Sequence, residues 1–165
     1  MPTEKERGAA FEVFAEAYLA TQRIAEAREV WPLDIVPIGL RRRLRLDTKD
    51  MGVDGVLETH LGEIAAYQVK FRSGRPTLTW TELATFFGLT DYPARRLLFT
   101  NCHVLPPPAR KRSRFFAIMG SDLDRLESLD FEAISGWLRG SIIPTTKKAP
   151  RPHQTEAIDA ILGAL

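Results

Sequence analysis

The chain has one cysteine, Cys102, in 165 residues, which excludes an internal disulfide and points to a reducing compartment. No apolar run is long enough to cross a bilayer, and the opening MPTEKERG lacks the apolar region of a signal peptide, so the expected setting is cytoplasmic, away from membranes. Charge of one sign is also scarce. A net charge of +2 does not by itself mark a polyanion binder. There is no internal repeat, which excludes a solenoid. The three histidines, His60, His103 and His153, have no metal-ligand spacing, and Cys102 beside His103 has no accompanying oxyanion element, so a histidine metal centre and a thiol nucleophile are both set aside. What is present is a 44% hydrophobic composition over a length suited to one folded core.

Phe11, Phe14, Ala15, Tyr18 and Leu19 recur at helical spacing and predict an N-terminal helix with one apolar stripe, with Glu12 at the border of that stripe. After a poorly patterned stretch holding Trp31, Pro32 and Pro37, the run GVDGVLETHLGEIAAYQVKF, residues 52–71, alternates as a β-hairpin. A three-residue loop at His60, Leu61 and Gly62 sets Thr59 against Glu63 and Asp54 against Gln68, with Lys70 two residues further along the same face. Tyr67, Val69 and Phe71 then face the opposite way as core. An acid, an amide and a lysine on one face of an otherwise apolar hairpin form a candidate site. The plainer alternative is a structural ion pair between Asp54 and Lys70.

Thr79 with Glu82 three residues on forms a capping box for a helix carrying Trp80, Leu83, Ala84 and Phe87. RRLLFTN and FFAIMG read as buried strands. LPPPARKRSR reads as an irregular connection, because three prolines cannot continue an element interior. SDLDRLESLDFEAISGWL reads as one helix or two. The order helix, hairpin, helix, strand, strand, helix predicts an α/β fold with a central mixed β-sheet flanked by helices on both faces.

FEVFAEAYL, GVDGVLE and YQVKF, in that order, resemble the Mrr-like branch of the PD-(D/E)XK nucleases, whose fold is the restriction-endonuclease-like fold. Asp54 matches the first motif, Gln68, Val69 and Lys70 the second, and Glu12 the first-helix glutamate. Val53 stands where the superfamily name has proline, and glutamine replaces the acid of the second motif, as is usual in that branch. The resemblance implies a magnesium-dependent endonuclease, with manganese able to substitute. By that resemblance Asp54, Gln68 and the Val69 carbonyl are the metal ligands, Glu12 orders a water, and Lys70 stabilises charge at the phosphate.

The positives cluster at Arg41, Arg42 and Arg43 and at Arg110, Lys111 and Arg112, which suits phosphate contacts to DNA. The closing PTTKKAPRPHQTEAIDAIL reads as a linker followed by an amphipathic helix. Its RPHQTEAI resembles the glutamine motif of superfamily 2 helicases, with Gln154 at the adenine-recognising position. The expected organisation is a nuclease domain over residues 1–145, then a linker and the start of a helicase or translocase over 146–165. The whole would be a single-chain type I-like restriction enzyme, with a second nuclease copy as a further partner for double-strand cleavage. Two alternatives remain open: a DNA-binding module with a decayed site, and a resolvase-like or RNA-directed nuclease on the same fold.

Overall fold

The computed structural model describes residues 1–46 and 52–140. Thr3 opens the chain's first helix, α1 (Glu4–Thr21), with a reciprocal cap: its hydroxyl accepts from the Glu6 N–H, and the Glu6 carboxylate accepts from the Thr3 N–H at 2.7 Å. The predicted stripe of α1 is buried, and Ala10 and Ala17 join it.

Five strands follow in one sheet, in the order β1 (Ala27–Pro32), β2 (Gly55–Thr59), β3 (Ile64–Lys70), β4 (Arg95–Thr100) and β5 (Phe115–Ile118). β2 runs antiparallel to both its neighbours, β1 and β3, whereas β3, β4 and β5 run parallel, so the sheet is mixed. Each parallel step needs a crossover, supplied by α3 (Trp80–Leu89) after β3 and by α4 (Pro107–Arg110) after β4. The short α2 (Ile38–Arg43) lies between β1 and β2, and α5 (Gly120–Leu123) and α6 (Ser128–Leu138) close the described chain.

The helices form two layers. One face of the sheet, with Leu57, Tyr67, Val69, Leu97 and Phe99, packs on α1 and α6. Phe99 is its hub, with ring centroids 5.3 Å from Phe11 and 5.1 Å from Tyr18. Burying such rings is worth about 3–5 kcal/mol each against alanine. The other face, with Val56, Ala66 and Leu98, packs on Leu40, Leu44 and Phe86 near α2 and on Leu83, Phe87 and Ala109 near α3 and α4.

Two sequence expectations are corrected, and a third is decided between its two forms. The stretch around Trp31 and Pro32 is an edge strand, with a register irregularity between Ala27 and Glu29. The triple proline is not wholly irregular: Pro107 and Pro108 occupy the first turn of α4, where an amide hydrogen would have no intrahelical partner anyway. The segment after Met119 is two helices. The linker, the expected second domain from residue 146 and Gln154 lie outside the described residues.

Candidate functional site

The hairpin pairs as its alternation predicts: Gly55 opposes Tyr67, Val56 Ala66, Leu57 Ala65 and Glu58 Ile64. Gly62, at φ +82°, closes the turn with its N–H on the Thr59 carbonyl, and the Thr59 N–H bonds the Glu63 carbonyl at 2.9 Å. The backbone ladder stops at Gly55. Asp54, one residue outside β2, gives its N–H to the Tyr67 carbonyl at 2.9 Å, while its carboxylate accepts the Val69 N–H at 2.6 Å. The side chain thus replaces the backbone carbonyl that a continued ladder would have offered. Asp54 spans Gln68, bonding the residues on either side of it.

Within a strand the N–H and C=O of one residue point to the same side, so the Val69 carbonyl is turned toward the Asp54 side of β3 as well. Gln68 lies on the α3 face of the sheet and is 2% exposed. Its Oε1 is buried without a hydrogen-bond partner among the described residues. Gly52, at φ +99°, is what lets the chain come this close: a Cβ there would sit 3.3 Å from the Gln68 amide nitrogen. Lys70, half-buried, ends β3 opposite Thr100 of β4.

Tyr67, next to Gln68 but on the α1 face, joins the remaining acid to this end of the hairpin. Its ring lies against Gly55, where a Cβ would collide with the phenol and with the Trp31 carbonyl. Its hydroxyl is held well above the usual phenol range, first by burial and then by the carboxylates of Glu16, Asp54, Glu12 and Asp34. The exposed Glu12 and Asp54 therefore act on one buried hydroxyl, from a helix and from a strand end. Glu16 and Asp34 were not singled out from the sequence. For Glu16 the available signal was its spacing of four from Glu12, which places both on one helix face.

Beyond Lys70 the chain is pinned. The Asn101 carboxamide, 4% exposed, clasps Arg72 at two points, accepting from its N–H and donating to its carbonyl, both at 2.9 Å. The Arg72 guanidinium is ion-paired with Glu82, and Ser73 donates to Glu4 at 2.6 Å. Burial would raise the Glu82 carboxyl, but the Thr79 N–H and the Arg72 guanidinium overcome this and hold it below its ordinary value. Cys102 is fully buried, and burial pushes its thiol up, which suits a structural side chain.

The basic runs divide. Arg41 gives a guanidinium hydrogen to the Leu33 carbonyl, so it serves the fold; Arg42 and Arg43 are exposed on α2. Arg110 and Lys111 are exposed at the end of α4, and Arg112 lies over the Trp80 ring at 5.1 Å. Among the described residues no three His, Cys, Asp or Glu side chains converge as a metal cluster, and no helix is long and apolar enough to cross a membrane.

No protein-family model matches the chain, and no curated protein does. Among solved structures the chain is similar to the ATP-dependent Type ISP restriction-modification enzyme LlaBIII bound to DNA, with a TM-score of 0.57 and 21% identity, over 98% of this chain and 10% of that one. The chain spans a tenth of that enzyme's length, and the likeness is one of fold.

Proposed function

We propose that the chain is a metal-dependent DNA endonuclease domain of the restriction-endonuclease-like, Mrr-like PD-(D/E)XK type, belonging to an ATP-driven restriction enzyme. The observation that carries this reading is the bracketing of Gln68 by Asp54. It sets a carboxylate, a buried amide oxygen without a partner among the described residues and a backbone carbonyl at one strand end, with a lysine two residues on. The fold likeness to a DNA-bound restriction-modification enzyme supports the same reading.

The donor set fits magnesium, which takes oxygen ligands and retains much of its own water, so one carboxylate and two neutral oxygens suffice. Asp54, Gln68 Oε1 and the Val69 carbonyl would hold it, and it would neutralise the phosphodiester and ready a water for attack. The chain's own residues do the rest. Asp54 fixes the hairpin end through Val69, so the two donors on β3 keep their spacing. Glu12 would hold a water at the rim. Lys70 would meet the negative charge that builds on the phosphate. Tyr67, buried on the α1 face with its ring against Gly55, backs the end of the hairpin.

A calorimetric magnesium or manganese titration of the chain tests the reading. Asp54→Asn and Gln68→Ala should each weaken binding tenfold or more, and in a polypeptide that includes the motor Lys70→Ala should stop cutting without stopping ATP turnover. Metal affinity equal to the parent's in both variants rejects the metal site, and parental cutting by Lys70→Ala rejects the nuclease assignment.

A further inference from the structure

The two basic runs, far apart in sequence, both place an arginine over a ring of α3 or of the loop that follows it. Arg45, just past α2, lies over the Tyr92 ring at 4.5 Å, and Tyr92 is 52% exposed in the loop that follows α3. Arg112, from the other run, lies over Trp80 and also over Phe87, at 5.6 Å. Arg96 approaches the same Phe87 ring at 5.6 Å, and its backbone N–H holds the Arg114 carbonyl at 2.8 Å. The rings of Trp80 and Phe87 stack at 5.3 Å, giving the guanidinium groups a flat, rigid floor.

Among the described residues this surface carries more positive than negative charge. Among the described residues Asp91 is ion-paired with Arg96, and it is itself mostly exposed. The neighbouring charges of Arg112 and Arg114 add to burial in disfavouring the Arg96 cation, so the arginines repel one another in the folded chain. Arg45 and Arg114 are both held at φ +53°, a backbone conformation that costs a non-glycine residue energy. A bound polyanion would relieve the crowding of like charge.

We propose that the outer surface of the α2–α3–α4 layer is a second DNA-contact surface, on which arginines laid over aromatic rings hold the phosphate backbone of a duplex away from the reactive end. The inference rests on the nuclease reading for its choice of partner. Its position is set by β4, since Arg96 and Thr100 lie on one face of the strand and Thr100 pairs with Lys70. Four residues of strand span about 13 Å, close to four base-pair steps of duplex. Phosphates gripped here would lie roughly four base pairs from the one facing Lys70, and would position the duplex without reading its sequence.

The test is duplex binding by fluorescence anisotropy in EDTA, across a salt series, so that no cleavage is needed. The triple variant Arg45→Gln, Arg112→Gln, Arg114→Gln is compared with a charge-matched triple on the α1–α6 side, Lys5→Gln, Arg125→Gln, Arg139→Gln. Each lost phosphate contact should lower the slope of log affinity on log salt by about 0.9, so the first triple should lose about 2.7 and bind at least tenfold more weakly, while the second stays within twofold. Arg114→Gln alone, expected to lose about 0.9, keeps the test open should the triple melt early. No measurable binding by the parent, equal losses in the two triples, or tighter binding of an acidic polypeptide than of DNA would each overturn the proposal. Because the readout is metal-free, it stands or falls separately from the cutting and metal-binding results.

Discussion

Asp54 carries two loads that two substitutions can separate. Its carboxylate closes the hairpin by accepting the Val69 N–H at 2.6 Å, and its charge is the anionic anchor of the proposed metal site. Asp54→Ala removes both. The Val69 amide, at a residue only 8% exposed, then loses its acceptor, and a buried donor without a partner costs about 1–3 kcal/mol. For a chain of this size about 2 kcal/mol lowers Tm by roughly 6 °C. Asp54→Asn keeps an oxygen for the same N–H and removes only the charge. Its Tm should fall by less than half as much as that of the alanine variant. In cleavage and metal titration the ranking disappears: both variants should be inactive and bind magnesium weakly. Calorimetric melting beside metal titration reads both effects from one preparation. If Asp54→Ala melts with the parent, the carboxylate does not hold the hairpin end. If Asp54→Asn binds metal as the parent does, the anchor is elsewhere.

Gly55→Ala places a methyl against the Tyr67 phenol and the Trp31 carbonyl, and should cost about 1–3 kcal/mol in urea denaturation; a neutral result would mean that the ring is free to move aside. Asn101→Ala removes both bonds to Arg72 and should loosen the segment after Lys70, read as faster amide hydrogen exchange at Arg72 with β4 still protected. Glu82 is held below its ordinary 4.5 in the folded chain, so its stabilising part is complete above that value and is lost as pH falls through the lower folded value. Glu82→Gln should therefore lower stability at neutral pH and narrow the gap to the parent in strong acid, and a gap independent of pH would count against the Arg72 and Thr79 contacts as its cause.

The hairpin was legible because one face of it is buried and its turn needs a left-handed residue. Alternation fixed which residues face the core, Gly62 fixed the loop, and a slip of one residue would have turned Tyr67 and Val69 to the wrong layer. The edge strand was not legible. Ala27 to Pro32 shows exposed Arg28 and Glu29, a single fully buried residue at Val30 and a proline, because an edge strand pairs on one side only and is bulged near its start. Glu12 could be placed on its helix face, but that its charge reaches the Tyr67 hydroxyl together with those of Glu16, Asp54 and Asp34 depends on how α1 crosses the sheet, which periodicity does not contain. The arginine runs illustrate the same limit. Sequence showed two clusters of positive charge; the fold lays Arg45 and Arg112 over rings of α3 and its following loop and diverts Arg41 to a backbone carbonyl.

Glutamine at position 68 follows from burial as much as from chemistry. At 2% exposure a second carboxylate beside Asp54 would have to shed its water and face a like charge, and without a cation it would be driven to hold a proton. An amide oxygen carries no charge, so the hairpin can form without any cation and leaves one acceptor unsatisfied among the described residues. The alternation of β3 then divides the labour. Tyr67 and Val69 secure the strand to the α1 layer, while Gln68 and Lys70 stand on the other face, at the one point where the backbone ladder to β2 ends. A strand end is where backbone donors and acceptors are left over, and Asp54 uses that vacancy twice, with its N–H and with its carboxylate, to hold Gln68 between two fixed neighbours.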